Sequence, residues 1–316
     1  MQKFGFIFPG QGSQKLGMLS AIASESSIIE ATFQEASDVL SLDLWGICQD
    51  DHKGILDQTE ITQPALLSAS VAIWRFWRDI TNLSPSIMAG HSLGEYSALV
   101  CAESMGFRDA IGVVHERGKL MQAAVPGGQG QMAAIIGLTG KEINAICDEV
   151  MVEKGIVSAA NYNSPTQTVI AGDGLSVKTA MDLCKDAGAK KALLLNVSVP
   201  SHCALMRPAA QELQAILASV EIKSPKTPVI QNADGDLAKE PNQIKLNLVK
   251  QLYSPVLWVD CVKSIFKEGA ESAVECGPGK VLSSLVKRIE PKLVCYPSDS
   301  GEQIQSAISE ISQSNN

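Results

Sequence analysis

The sequence lacks the features that mark membrane, metal and nucleic-acid proteins. No apolar run among its 316 residues reaches the roughly 18 that a membrane helix requires, which excludes a spanning helix, and no membrane partner is expected. The eight cysteines stand singly, at 48, 101, 147, 184, 203, 261, 276 and 295, with no C-x-x-C pair and no histidine at zinc-ligand spacing. Reduced thiols and no bound metal are expected. Lysine and arginine total 26 against 34 aspartates and glutamates, a net charge of -8 with no basic block, which opposes general attraction to nucleic acid. Neither "PGQGSQKLG" nor "GPGKV" fits a dinucleotide or Walker phosphate loop, so nucleotide binding is excluded. The opening "MQKFGFIFPGQG" has one lysine and a short run broken by Pro9, without the length or cleavage site of a secretory signal. A cytoplasmic protein is expected.

What remains is ordinary soluble composition, 45% hydrophobic and 19% charged, in a chain long enough for one large domain or a large plus a small one. Phe4 to Phe8 reads as a buried strand ending in a glycine-rich turn. Helical stretches follow around Glu25 to Leu40 and Gln63 to Ile80, then a strand "SIMAG" and a tight turn into another helix, the order of an α/β fold. After the break "GGQG" the rhythm changes to β-α-β-β-α-β, the order of a ferredoxin-like module. The reading is α/β: a hydrolase-like parallel-sheet large subdomain, residues 1–126 and 199–316, with an inserted ferredoxin-like small subdomain, 127–198. "SVPSHCALM" then leads into a helix from Ala204 to Leu217.

Between the second strand and its helix lies "AGHSLGEYSALV", a Gly-x-Ser-x-Gly. Small residues around Ser92 permit the sharp turn that exposes a nucleophilic hydroxyl, and the following helix aims its N-terminal dipole at the site. The alternative is that Gly90 and Gly94 merely close a tight turn. A serine needs a base, and the chain has only four histidines. His52 sits in the polar "QDDHKG". His91 adjoins the serine and should point to the opposite face. His115 lies roughly 200° round its helix from the apolar stripe. His202 remains, where the chain leaves the small module and re-enters the large one. No acid near His202 completes a triad. A thiolate leaving group, whose conjugate acid has a pKa near ~8.5, needs less protonation than an amine. That favours acyl transfer from a thioester over peptide hydrolysis.

Residues Ala110, Val114, Arg117, Met121 and Ala124 recur at spacings of four, three, four and three, one helical stripe that includes an arginine. A buried guanidinium must meet something anionic. A structural ion pair, an outward-reaching side chain and a bidentately held substrate carboxylate all remain open on the residues alone.

Taken together, "FPGQGSQ", "TQPAL", "GHSLGEYSAL", "RGKLMQ", "VPSHCALM" and "GPGKVL", in order along nearly the whole chain, resemble the malonyl-CoA:acyl carrier protein transacylase family, in its stand-alone bacterial form. The resemblance implies Ser92 as the acylated serine, His202 as general base and Arg117 as the partner of the malonyl carboxylate. It further implies an oxyanion hole from the main-chain N–H groups of Gln11 and Leu93, a pocket glutamine at Gln63, and a Gln251 main-chain carbonyl that orients His202. Malonyl-CoA and acyl carrier protein are the implied partners, no metal or redox cofactor is needed, and a monomer is expected. An acidic carrier sits awkwardly with a net charge of -8, so Lys190 with Lys191 and Lys287 with Arg288 are the candidates for a local docking patch.

Overall fold

The computed structural model of the chain describes residues 3–125, 129–153, 155–196 and 199–313. Strand β1, Phe4–Phe8, is buried on both faces. Phe4, Phe6 and Phe8 point into the main core, where Phe6 meets Trp74 and Trp77 edge-on at 5.3 and 5.0 Å, while Ile7 points into a second core with Trp258 and Ile265. Such two-faced burial suits a parallel sheet covered by helices. β1 is indeed central in a five-stranded sheet that also contains β2 (Ile87–Gly90), β7 (Val229–Ile230), β8 (Ser272–Glu275) and β9 (Val294–Pro297), in the order β7-β2-β1-β8-β9, and every pairing is parallel.

The second sheet is antiparallel, built from β3 (Gly130–Ile136), β4 (Val157–Ser164), β5 (Gln167–Asp173) and β6 (Lys191–Leu194) in the order β4-β5-β3-β6. This is the β-α-β-β-α-β arrangement read from the sequence, with helices Gly140–Glu153 and Gly174–Asp186 packed on the face of Ala133, Ile135 and Ile170. The opposite face, with Met132, Ala134 and Val169, turns to Cys203 of the large body. The edge strand β4 is tied there by two main-chain bonds, Tyr162 N–H to the Val256 carbonyl at 3.0 Å and Val256 N–H to that of Ala160 at 2.8 Å. Of the expected hand-over points, 126/127 falls outside the described residues and 198/199 lies at their edge, residue 198 being outside them. Among the described residues no helix is long and apolar enough to cross a membrane.

Two of the helices whose starts differ from the sequence reading carry a proline near that start. The helix expected from Gln63 begins at Thr59 and carries Pro64 inside it. Pro64 has no N–H for the Glu60 carbonyl four residues back, and His115 Nδ1–H donates to that carbonyl instead, at 2.8 Å. The histidine read as facing away from its stripe thus has a structural task on the neighbouring helix. The helix expected from Ala204 opens as a 3-10 turn, Ala204–Met206, and becomes α-helical at Arg207–Ser219, where Pro208 occupies the first turn that tolerates it.

Parallel strands bring their C-terminal ends to one edge, where α/β proteins place their sites. β2 ends there in the serine turn, and the helix Gly94–Cys101 leaves it at once. The approach is so close that a Cβ on Gly90 would lie 1.9 Å from the Gly94 carbonyl, and one on Gly94 would lie 2.0 Å from that of Phe8. Gly94→Ala is therefore expected to lower unfolding free energy by about 3 kcal/mol or more, read from urea denaturation. Gly112→Ala, in a helix where an added Cβ meets nothing within 4 Å, should instead stabilise by about 0.5–1 kcal/mol.

Candidate active site

Ser92 stands at the apex of the turn with φ of 52°, a left-handed conformation that costs a non-glycine residue about 1–3 kcal/mol. Asn232, just beyond β7, braces the turn on both sides. Its Oδ1 accepts the Ser92 N–H at 2.7 Å, and its Nδ2 donates to the Gly90 carbonyl at 2.7 Å. The hydroxyl it exposes lies 2.8 Å from His202 Nε2.

His202, 3% exposed and itself at φ of 62°, is fixed by two consecutive residues at the end of the helix Pro241–Tyr253. The Gln251 carbonyl takes its Nδ1–H at 2.7 Å and the Leu252 carbonyl takes its main-chain N–H at 3.0 Å. The last carbonyls of a helix have no intrahelical donor. Here the residue four beyond Gln251 is Pro255, which has no N–H to offer. With Nδ1–H committed to that carbonyl, the Nε2 lone pair faces the Ser92 hydroxyl, the tautomer a general base needs. Burial, and after it the nearby Arg117 charge, lower the imidazole pKa to about 3 against the opposing pull of the Gln251 carbonyl. The imidazole is therefore neutral at physiological pH.

Arg117 is 1% exposed, on the buried stripe of the helix Phe107–Ala124. Its Nη1 donates to Gln63 Oε1 at 2.7 Å and its Nη2 to Gln251 Oε1 at 3.0 Å, and Nη2 also lies 3.4 Å from Ser92 Oγ. The guanidinium sits over the Tyr96 ring at 5.6 Å, and its Nε has no hydrogen-bond partner among the described residues. Among the described residues no carboxylate lies within 4 Å of it, so the ion pair and the outward-reaching side chain left open by the sequence are both absent.

These side chains line a cavity of about 170 Å³ between the two sheets. Gln11, Gln63 and Leu93 border it, and neither the Gln11 nor the Leu93 main-chain N–H has a protein acceptor among the described residues. Gln11 follows β1 and Leu93 follows β2, neighbouring parallel strands, which is why the two reach one point. The small sheet supplies the facing wall through Met132, Asn161, Asn163, Val169 and Leu195.

His91 differs from its sequence reading. The positive φ at Ser92 turns the chain so that His91 borders the same cavity, but it does not reach the serine. Its Nε2 binds Asn163 Oδ1 at 2.8 Å and its ring packs edge-on against Trp258. His52 is exposed, paired with Asp50.

Sequence reasoning also passed over a buried amide network. Glu95, fully buried, accepts from Gln231 Nε2 at 3.0 Å, from the Asn232 N–H at 2.8 Å and from Gln251 Nε2 at 2.9 Å. Burial pushes its carboxyl pKa up to about 7 while these three hydrogen bonds pull it down. The one available signal was the glutamate three residues after Ser92. Gln231 and Asn232 follow directly on a strand of only two residues, Val229–Ile230, that no pattern announces. Among the described residues no group of three or more His, Cys, Asp or Glu side chains is placed to hold a metal ion.

A serine at a strained strand-to-helix turn, a neutral histidine on its hydroxyl and a buried guanidinium beside it are the groups that acyl transfer through a serine requires. A model of the acyl transferase domain matches residues 5–290, and the chain belongs to that family. It is 52% identical to the malonyl CoA-acyl carrier protein transacylase of Haemophilus influenzae, over 92% of this chain and 93% of that one. It is 40% identical to the transacylase of the same name from Bacillus subtilis, over 100% and 99%. Among solved structures, an acyl carrier protein S-malonyltransferase from Vibrio cholerae superposes with a TM-score of 0.94 at 50% identity, covering 96% of this chain and 99% of that one. A malonyl-transacylase in complex with a type II PKS acyl-carrier protein gives 0.95 at 49% identity, covering 98% and 99%. Within the acyl transferases, the chain belongs to the malonyl CoA-acyl carrier protein transacylases.

The state of His202 is open to direct measurement. Acylation of Ser92 by a serine-directed reagent should keep its rate as pH falls through ~6.5, the ordinary histidine value, and decline only well below it. Removing the neighbouring cation favours the protonated imidazole, so Arg117→Met should move that decline to higher pH. A native limb at the ordinary histidine value would contradict the assignment.

Proposed function

We propose that the chain transfers the malonyl group of malonyl-CoA to the phosphopantetheine thiol of acyl carrier protein through a malonyl-serine intermediate, supplying fatty acid elongation. One observation carries this reading: Ser92 Oγ is shared between the His202 base at 2.8 Å and a buried guanidinium at 3.4 Å that has no carboxylate of its own. In a malonyl group two C–C bonds of about 1.5 Å separate the attacked carbon from the carboxylate carbon, so an arginine that close to the nucleophile suits this acid.

His202 takes the Ser92 proton as Oγ attacks the thioester carbon. The oxyanion lies toward the main-chain N–H groups of Gln11 and Leu93, whose donors are uncommitted. The C–S bond breaks, coenzyme A leaves as the thiol with the proton from His202, and the malonyl ester stays on Ser92. The carrier thiol then gives its proton to His202, attacks the ester, and Ser92 leaves with that proton, a ping-pong cycle. Gln63 and Gln251 hold Arg117 in place, and no metal or redox cofactor enters the scheme. Acetyl-CoA brings no carboxylate and leaves the cation unpaired, a larger discrimination than a missing methylene gives.

Intact-protein mass after brief mixing with malonyl-CoA tests this. A malonyl-sized adduct is expected on the native protein, none on Ser92→Ala, and discharge by an added pantetheine thiol should outpace discharge by water. Arg117→Ala should lose malonyl transfer by about 100-fold or more, the scale of a deleted charged hydrogen-bonding partner, and shift preference toward acetyl. Rapid release of free malonate without an adduct would instead make the protein a thioesterase.

Carrier docking is supported by where the basic pairs lie. Lys191 stands in register with Ile136 and, through it, with Gln167, whose Oε1 accepts from Arg288 Nη1 at 2.8 Å. Lys190, Lys191, Lys287 and Arg288, all exposed, thus gather at one end of the small sheet. Leu195 of the cavity wall is four residues along, roughly 13 Å in an extended strand. Reversing either pair to glutamate should raise KM for the carrier protein several-fold and leave malonyl-CoA kinetics unchanged; equal effects on both substrates would remove the docking role.

A further inference from the structure

We infer that Glu95 is a positioning residue for acyl-group selection, acting through the Gln251 side chain on Arg117; the inference rests on the function proposed above. An amide side chain has a donor end and an acceptor end, and its neighbours decide which way it faces. Gln251 lies between groups of opposite and unambiguous character. Its Nε2 faces three acceptors: Glu95 Oε2 at 2.9 Å, the Ser92 carbonyl at 3.0 Å and Asn232 Oδ1 at 3.3 Å. Its Oε1 faces the donor-only guanidinium at 3.0 Å. Were the amide reversed, Nε2 would confront Arg117 and the guanidinium would move from its place beside Ser92.

Every group on the Glu95 carboxylate is a donor, so none offers an acceptor to a carboxyl O–H, and the site is built for the anion. That anion is the strongest of the three acceptors on Gln251 Nε2. It also holds the Asn232 main chain, whose side chain braces the serine turn. Its distance from Arg117 matters too. A carboxylate in direct contact would satisfy the guanidinium and compete with the substrate. With one amide between them, Glu95 balances the buried cation and leaves it open to a substrate carboxylate.

The test compares kcat/KM for malonyl-CoA and acetyl-CoA in the full chain and in Glu95→Gln, which keeps shape and removes the anion. The malonyl preference should fall about tenfold or more, the scale of a hydrogen bond to a charged group, with KM for malonyl-CoA carrying most of the loss. Gln251→Met, which keeps the main-chain carbonyl on His202, should lose the preference alike, and the two changes together should cost no more than either alone. A role confined to fold stability would slow both substrates equally and lower Tm with the preference intact, which would overturn the inference. So would an unchanged preference in Gln251→Met, an outcome readable even if Glu95→Gln fails to fold. A native enzyme that discriminates neither acyl group would overturn the proposed function and this inference with it. Native discrimination that survives both variants overturns the inference alone.

Discussion

The Arg117 guanidinium is out of water, and a buried cation is costly unless its donors are met. The chain meets two of them with neutral oxygens, Gln63 Oε1 and Gln251 Oε1, and sets the cation over the face of Tyr96, while Nε has no hydrogen-bond partner among the described residues. The choice of amides over a carboxylate leaves the positive charge unspent beside the nucleophile. Much of the surrounding architecture follows from keeping it there. Gln251 must present its oxygen, so Nε2 must be taken up elsewhere, and Glu95, Asn232 and the Ser92 carbonyl do so. The same charge, after burial, is the second cause that holds His202 neutral.

The serine turn and the amide network are mechanically one unit. Ser92 and His202 both occupy left-handed backbone conformations, which persist only where surroundings over-determine them. Gly90 and Gly94 let the helix start press against β1 and β2, and Asn232 bonds the turn on either side. Across the cavity the wall belongs to the small sheet, tied to the large body through β4 and Val256. The serine turn and its bracing amides thus come from one sheet edge and much of the enclosing surface from another, so the cleft exists only when both sheets are in place.

What could be read from sequence was whatever periodicity or a fixed spacing announces. The two-sheet order was legible from the change of rhythm after "GGQG", and Arg117 was legible because an arginine on an apolar stripe is anomalous. Ser92 stood out through its glycines, and His202 by elimination among four histidines. Gln63 and Gln251 were reached only through the family resemblance, Gln251 for its main-chain carbonyl and not for its amide, and Gln231 and Asn232 were not legible. Glutamine and asparagine are common, carry no charge to make burial conspicuous, and reach the site from just beyond a two-residue strand and from the end of a helix 13 residues long. Proline marks two of the shifted boundaries, and explains why the Gln251 carbonyl is free for His202. His91 was misread because alternation of side chains presumes regular strand geometry, and the chain leaves that geometry at Ser92.

A serine and histidine without a third acid are sufficient only if the imidazolium is needed briefly. In a triad the carboxylate on Nδ1 stabilises that cation, whereas the Gln251 carbonyl orients the ring and brings no full charge. Burial first and Arg117 second oppose protonation of His202, leaving its imidazole neutral. In the proposed cycle a malonyl carboxylate on Arg117 cancels the second of these as the substrate seats, and an acetyl group cannot. Selection of the acyl group and activation of the base then become one electrostatic event. In the proposed cycle the departing thiolate, with a conjugate acid near ~8.5, depends less than an amine on receiving the proton of His202 before the bond breaks, which is why a thioester suits this pair better than an amide would.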